Sequence, residues 1–83
     1  MTRQRRYVLY GRYSCPYCVE ASDLLGSLGL DCQFIDIEKD PEFLQELKEF
    51  YQHKTVPMII RIDEAGVVKF IGGYDNLKEE VND

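Results

Sequence analysis

Two cysteines separated by two residues, Cys15 and Cys18, constrain this chain more than any other feature because of what surrounds them. They follow a short apolar run at residues 7–10 that is typical of a buried strand. Pro16 suits the first turn of a helix, where its missing N–H would have no partner, and Ser14 or Cys15 can occupy the cap. The pair is therefore predicted on the first turn of a helix that follows a strand.

Strand and helix patterns alternate along the rest of the chain. Asp40 and Pro41 form a strong helix start, a capping carboxylate followed by a proline at the first helical position. Gly29 is expected to end the first helix, and the turn at 63–66 joins two strands of a hairpin. The predicted strands are residues 7–10, 32–37, 58–62 and 67–71. The predicted helices are residues 16–28, 41 to about 52, and 76–81, the last capped by Asp75.

The resulting order, β-α-β-α-β-β-α, predicts an α/β fold. The first half of the chain is a βαβ unit, whose two strands are expected to be parallel and whose crossover is expected to be right-handed. The hairpin adds two antiparallel strands. We therefore expect one four-stranded mixed sheet flanked by helices. A chain of 83 residues forms one domain at most, over residues 1–83, and buries only about 60% of the surface that its unfolded chain exposes.

Charge and hydropathy exclude some classes of partner. The net charge of −5 argues against a general nucleic-acid binder. The exception is a basic N-terminal tail over residues 1–6 that carries Arg3, Arg5 and Arg6, which is expected to be exposed, with an anionic partner as the alternative. The first apolar run is too short for a signal peptide or a membrane span. We expect a cytoplasmic monomer with no membrane partner.

The cysteine pair suits thiol–disulfide exchange, which needs a thiolate and a second thiol within reach. The N-terminus of a helix favours the thiolate of Cys15, Arg12 adds positive charge, and Cys18 lies one turn further on. A zinc site would have to recruit Cys32 and His53, from a strand and a helix end, so no metal is expected. A structural disulfide is disfavoured in a reducing compartment. C-x-x-C beside a βαβ pattern favours a thioredoxin-like redox motif.

Three separated motifs resemble those of the glutaredoxin family and occur in the family's order. They are Cys-Pro-Tyr-Cys at 15–18, Thr-Val-Pro at 55–57 and Gly-Gly-Tyr-Asp at 72–75. The resemblance covers about residues 7–77 and implies a thioredoxin-like fold. It also implies a disulfide oxidoreductase that uses glutathione as co-substrate and acts on protein disulfides and on glutathionylated proteins.

The resemblance also implies roles for individual residues. Cys15 and Cys18 are the implied catalytic pair. The implied glutathione-binding residues are Arg12, Tyr17, Thr55, Val56, Pro57, Gly73, Tyr74 and Asp75.

Within that set, Pro57 is implied to be cis, so that the Val56 backbone pairs with the cysteine of glutathione. Backbone N–H groups of Tyr74 and Asp75 would hold the α-carboxylate of the γ-glutamyl group, with the Asp75 side chain facing its ammonium. Arg12 stands where the family usually has Lys, near the glycyl carboxylate.

Plainer interpretations of these residues stay open. Pro57 would ordinarily begin a strand, Arg12 and Tyr17 would be exposed loop and helix side chains, and Asp75 would only cap a helix. Cys32 is expected to be an ordinary strand residue, with a regulatory thiol as the alternative.

His53 is expected on the surface at a helix C-terminus. Two other functions also stay open. A glutaredoxin-like protein reduced by thioredoxin reductase is disfavoured by Gly-Gly-Tyr-Asp, and an iron–sulfur carrier is disfavoured by Pro16.

Overall fold

The computed structural model describes residues 5–82, and the order of their elements confirms the predicted β-α-β-α-β-β-α arrangement. The strands are β1 (Arg6–Gly11), β2 (Asp31–Asp36), β3 (Met58–Ile62) and β4 (Val68–Gly72). The helices are α1 (Pro16–Ser27), α2 (Pro41–Tyr51) and α3 (Tyr74–Val81). The sheet has the order β2-β1-β3-β4, in which β1 and β2 are parallel and the other pairs are antiparallel. The predicted four-stranded mixed sheet is therefore confirmed.

The start and end of the first two strands differ from the prediction. Arg6 belongs to β1, where it pairs with Asp31 and Ile62, rather than to the basic tail; residues 1–4 of that tail lie outside the described residues. β2 ends at Asp36, and Ile37–Lys39 form a 3-10 turn in which Asp36 Oδ1 accepts a hydrogen bond from the Glu38 N–H at 3.1 Å. The turn directs the chain toward α2.

The second half contains a further difference. β4 ends at Gly72, and α3 begins at Tyr74 with Gly73 as its N-cap. The prediction that Asp75 caps this helix is wrong, because the capping contact comes from Asn76, whose Oδ1 accepts a hydrogen bond from the Gly73 N–H at 3.0 Å. The last helix therefore starts two residues earlier than its predicted start at residue 76.

Two apolar clusters hold helices against opposite faces of the sheet. The first joins α1 and α3 to the inward side chains of β1 and β3; its buried members are Tyr7, Leu9, Cys18, Ala21, Leu25, Ile59 and Leu77. The second joins α2 and the 3-10 turn to the other face through Ile37, Leu47 and Met58. Alternation along a strand sends neighbouring residues to opposite faces, so Met58 and Ile59 belong to different clusters. Cys18 is thus a core residue.

The ends of the helices fix the elements that flank the site. α2 begins as predicted, with Asp40 Oδ1 accepting a hydrogen bond from the Phe43 N–H at 3.1 Å. It ends at Tyr51, and the next residue, the C-cap Gln52, has a left-handed backbone (φ 52°, ψ 45°). α3 is tied to the sheet by buried Leu77 and by an ion pair between Glu80 and Arg61 of β3. None of the helices within residues 5–82 is long and apolar enough to cross a membrane.

Candidate active site

The cysteine pair occupies the start of α1, as predicted. Cys15 is the N-cap, with an extended backbone (φ −97°, ψ 114°), and Pro16 is the first helical residue. The Cys15 carbonyl accepts hydrogen bonds from the N–H groups of Cys18 at 3.1 Å and Val19 at 3.2 Å. Cys15 is half-buried and Cys18 is fully buried, and both are free thiols. The accessible thiol therefore lies directly over the buried one.

The loop before the helix approaches Cys18 closely. The Arg12 carbonyl accepts a hydrogen bond from the Cys15 N–H at 3.2 Å, which closes the turn. A Cβ on Gly11 would lie 2.6 Å from Cys18 Sγ and 2.9 Å from Leu9 Cδ2, so any side chain at position 11 would displace these neighbours. We did not predict this role of Gly11. The available signal was a glycine at the end of a strand, which often marks a close backbone approach.

The pKa of Cys15 lies below its ordinary value. Burial alone would raise this pKa, but the hydrogen bond with the Cys18 thiol opposes burial most strongly. The backbone N–H groups of Cys18 and Tyr17 and the positive charge of Arg12 act in the same direction. Each of these favours the anion, and the thiolate is the form of cysteine that attacks a disulfide. Cys15 is therefore the more readily ionised thiol of the pair.

The pKa of Cys18 moves the other way. Burial raises it to about 12, and the hydrogen bond and negative charge of Cys15 add to that effect, against the lowering influence of Arg12. Cys18 thus keeps its proton while Cys15 is ionised. The two thiols titrate as a coupled pair whose pKa values are pushed apart, which assigns different roles to chemically identical groups.

A cavity of about 300 Å³ opens beside the start of α1. It is lined by Tyr17, His53, Thr55, Val56, Pro57, Gly73, Tyr74, Asp75 and Asn76. The fold thus brings together every predicted binding residue except Arg12, which lies beside the cysteines and is not among the described lining residues. The Val56–Pro57 peptide bond is cis, as predicted.

The N-terminus of α3 forms one wall of this cavity. The Gly73 N–H donates a hydrogen bond to Asn76 Oδ1. The N–H groups of Tyr74 and Asp75 belong to the first turn of α3, where no preceding helical carbonyl is available to accept from them. Gly72 has φ +117°, and a Cβ there would lie 2.6 Å from Asn76 Oδ1. Gly72 and Asn76 therefore shape this wall together. Asn76 was missed because it looks like an ordinary helical residue in the sequence.

Aromatic side chains connect the cavity to the cysteine pair. Tyr17, between the two cysteines, is 61% exposed, and its ring centroid lies 6.1 Å from that of Tyr74. Lys78 Nζ lies 4.8 Å from the centre of the Tyr74 ring and 3.5 Å from Asp75 Oδ1. The Asp75 carboxylate is 90% exposed, so this ion pair is weak and leaves the carboxylate available.

Cys32 and His53 have different surroundings. Cys32 lies on β2; burial raises the pKa of its thiol, a hydrogen bond with Ser22 opposes the rise, and Asp31 adds to it. The prediction of an ordinary strand residue agrees with this weakly ionised thiol. His53, in contrast, is half-buried in the cavity wall rather than on the open surface. Within residues 5–82, no cluster of three or more His, Cys, Asp or Glu side chains is arranged to hold a metal ion.

Comparison with known proteins gives a consistent result. A sequence model of the glutaredoxin family matches residues 7–66. A glutaredoxin from Pseudomonas aeruginosa is 40% identical over 70 residues, which are 84% of this chain and 77% of that protein.

Solved structures resemble the fold closely. The solution structure of glutaredoxin from Brucella melitensis has a TM-score of 0.73 at 31% identity and covers 93% of this chain and 78% of its own. The crystal structure of a buckwheat glutaredoxin–glutathione complex has a TM-score of 0.77 at 25% identity and covers 94% and 69%. The predicted thioredoxin-like fold is thereby confirmed. The family match spans the cysteine pair and the cis-proline segment, and this chain belongs to the glutaredoxin family.

Proposed function

We propose that this thiol–disulfide oxidoreductase depends on glutathione, and that it reduces both protein disulfides and glutathione mixed disulfides. One observation carries the proposal: Cys15, with its lowered pKa, stands beside a cavity lined by the Thr55–Pro57 and Gly73–Asp75 segments. A buckwheat relative of the same fold has been crystallised with glutathione, which supports the same ligand here. Because the cytosol keeps thiols reduced, we also propose a cytoplasmic location. We further propose that the protein acts as a monomer.

Removal of glutathione from a protein uses Cys15 alone. Its thiolate attacks the glutathione sulfur of the mixed disulfide, a Cys15–glutathione disulfide forms, and the protein thiolate leaves and takes a proton from solvent. The thiolate of a second glutathione then attacks the bound glutathione sulfur. Glutathione disulfide leaves, and Cys15 returns as the thiolate that its surroundings favour.

Reduction of a protein disulfide uses both cysteines. Cys15 attacks one sulfur and forms a mixed disulfide with the protein, and Cys18 then attacks Cys15 Sγ, which releases the protein dithiol and leaves a Cys15–Cys18 disulfide. Two influences that raise the pKa of Cys18 are the hydrogen bond and the charge of the Cys15 thiolate. Both end when Cys15 enters the mixed disulfide, so Cys18 becomes easier to ionise when its attack is needed.

The γ-glutamyl end of glutathione is placed in the cavity. Its α-carboxylate accepts hydrogen bonds from the amides of Tyr74 and Asp75, where a helix N-terminus favours an anion. Its ammonium faces the exposed Asp75 carboxylate. The cysteine of glutathione pairs with the Val56 backbone as a one-residue strand.

The remaining contacts complete the site. Tyr17, Thr55, Pro57 and Gly73 line the cavity around the peptide. Arg12, beside the cysteines and outside the described lining of the cavity, serves the glycyl carboxylate, which its planar guanidinium can bind with two hydrogen bonds.

A coupled assay tests the proposal. Reduction of hydroxyethyl disulfide is followed through NADPH oxidation, once with glutathione and glutathione reductase and once with thioredoxin reductase alone. We expect turnover only in the first assay. Turnover with thioredoxin reductase and none with glutathione would replace the proposal with the thioredoxin-reductase alternative. A brown protein on anaerobic purification, carrying a cluster instead of turning over, would favour the iron–sulfur carrier.

A further inference from the structure

We propose that His53 binds the α-carboxylate at the γ-glutamyl end of glutathione and thereby sets the selectivity of the cavity for that end group. The inference rests on the proposed function and adds a side chain to a site otherwise built from backbone amides and Asp75. His53 has no part in the exchange steps described above.

The backbone around His53 holds its ring in place. The left-handed Gln52 ends α2, and the His53 N–H then donates a hydrogen bond to the Lys48 carbonyl at 3.0 Å. The ring packs edge-on against Phe70 of β4, with centroids 5.4 Å apart and planes at 71°. The ring is therefore fixed by one helix end and one strand, which limits the entropy lost when it binds a ligand.

The nitrogen atom that faces the cavity has spare hydrogen-bonding capacity. Nε2 of His53 lies 3.5 Å from Thr55 Oγ1, which is long for a hydrogen bond and leaves the nitrogen available to a closer acceptor. The same atom lies 3.9 Å from the point that a Cβ on Gly73 would occupy. It thus faces the space between the Thr55 segment and the N-terminus of α3, where the α-carboxylate is placed.

The charges around the cavity fit an amino-acid end group. Among the described lining residues, His53 is the one with a basic side chain and Asp75 is the one with an acidic side chain. They stand on separate elements, the end of α2 and the start of α3. A group with one ammonium and one carboxylate can therefore meet opposite charges on two walls.

Other charged groups lie around these two. Lys78 pairs with Asp75 on α3, and Lys48, Glu49 and Lys54 line a neighbouring cavity that shares His53. Lys54 is exposed and stands outside the lining of the glutathione cavity. It carries the same kind of charge one residue from His53, which makes it a matched control.

The test compares glutathione with a peptide that lacks only the α-carboxylate, γ-aminobutyryl-cysteinyl-glycine. Each peptide is supplied as its mixed disulfide with 2-mercaptoethanol. Its transfer to Cys15 is followed by quenched mass spectrometry in the Cys18→Ser background, where the product disulfide persists. The second-order rate constants for both peptides are measured for unchanged His53, His53→Ala, His53→Gln and Lys54→Gln.

We expect His53→Ala to slow transfer from the glutathione disulfide by about fivefold and to change the analogue by less than about twofold, because the charge-assisted contact exists only with the carboxylate. His53→Gln, which keeps a side-chain N–H donor, should recover part of the loss. Lys54→Gln should affect the two peptides equally. Circular dichroism melts confirm that each variant is folded.

Two results separate this inference from the proposed function. If the protein prefers glutathione over the analogue but His53→Ala slows both equally or neither, His53 does not bind the carboxylate and the proposed function stands. If the protein with His53 intact does not distinguish the two peptides and shows no glutathione-dependent turnover, the proposed function fails and this inference fails with it.

Discussion

α1 and α3 both begin beside the same cavity, but the two helix N-termini are capped by different kinds of residue. At α1 the cap is Cys15, a titratable group that makes no side-chain capping bond to the described residues and supplies its own negative charge. At α3 the cap is Gly73, whose N–H is already bonded to Asn76. Two helix starts with similar local geometry thus differ: one stabilises the anion of its own capping cysteine, and under the proposed function the other has room for the anion of a ligand.

The difference follows from what each first turn places nearby. α1 positions a second thiol directly below the first, and the resulting hydrogen bond does more than Arg12 to lower the pKa of Cys15. α3 positions amides and an exposed carboxylate, which cannot attack a disulfide. Substitutions at α1 should therefore change reaction steps, whereas substitutions at α3 should change the affinity for glutathione.

The largest effect is expected at the α1 cap. Cys15→Ser should lower all turnover by about a thousandfold or more, because the covalent step loses its nucleophile. Cys18→Ser should keep deglutathionylation and lose reduction of dithiol substrates. The two activities are measured with a glutathionylated peptide and with a protein disulfide. Retained deglutathionylation in Cys15→Ser would exchange the roles assigned to the pair.

Gly11→Ala should separate the cysteines without removing either. Its Cβ would lie 2.6 Å from Cys18 Sγ, so Cys18 must shift, at a cost of about 1–3 kcal/mol in the free energy of unfolding. Dithiol reduction should fall roughly tenfold or more, since small misplacements of reacting groups are costly.

The matched control for Gly11→Ala is Gly26→Ala on α1. Among the described residues, no atom outside the helix backbone lies within 4 Å of the position that a new Cβ would take there. It should stabilise the protein by about 0.5–1 kcal/mol, because alanine favours a helix more than glycine does. Denaturant melts and the protein-disulfide assay measure both variants. Equal behaviour of the two would mean that Gly11 does not position Cys18.

At α3, Asp75→Ala should raise the apparent KM for glutathione by about three- to thirtyfold through loss of one exposed charge contact. Reduction of the Cys15–Cys18 disulfide by dithiothreitol should hardly change, since that reductant carries no ammonium. Glu79→Ala removes an exposed carboxylate of the same helix that does not line the cavity and serves as control. An equal loss with both reductants would place Asp75 in the exchange chemistry or the fold.

Arg12→Ala should have a smaller effect with a defined sign. Removing the positive charge disfavours the thiolate, so the pKa of Cys15 should rise and its alkylation by iodoacetamide at a fixed pH below that pKa should slow by a few-fold, roughly what one weakened charge contact is worth. Arg5→Ala, which removes an exposed arginine just before β1, is the control. An unchanged pH profile would show that the charge of Arg12 does not lower the pKa of Cys15, and would leave the hydrogen bonds from the Cys18 thiol and the backbone N–H groups as the causes.

The smallest effect is expected away from both helix starts. Cys32→Ser should leave glutathione-dependent turnover within about twofold, which corresponds to less than about 0.5 kcal/mol in the barrier. Its thiol, with a raised pKa, lies on β2 beside Ser22 of α1. A tenfold loss of turnover in the coupled assay would give Cys32 a regulatory part.

The elements that could be predicted from the sequence depend on local chemistry. Pro16 and Pro41 mark helix starts because a missing N–H is harmless there. Ile37 was assigned to a strand because it is apolar and β-branched, but it packs beneath α2 in a 3-10 turn. A buried apolar residue is expected both in a strand and in a 3-10 turn packed against the core, so the hydrophobic pattern could not distinguish these two structures.

The site could be predicted only as far as its motifs extend. Cap assignment at α3 was wrong because Gly73 has no side chain and Asn76 reaches back to it. Gly11 approaches Cys18 and His53 packs against Phe70, and such contacts depend on the packed fold. Their roles therefore follow from the three-dimensional arrangement.

The burial of Cys18 among Leu9, Leu25 and Leu77 has a thermodynamic consequence. A core side chain that alternates between a thiol and half of a disulfide makes the free energy of unfolding a function of oxidation state. By linkage, any substitution that packs one state better than the other shifts the midpoint potential by about 30 mV for each 1.4 kcal/mol of differential stability. In this small protein, repacking the core is therefore also a way to tune its strength as a reductant.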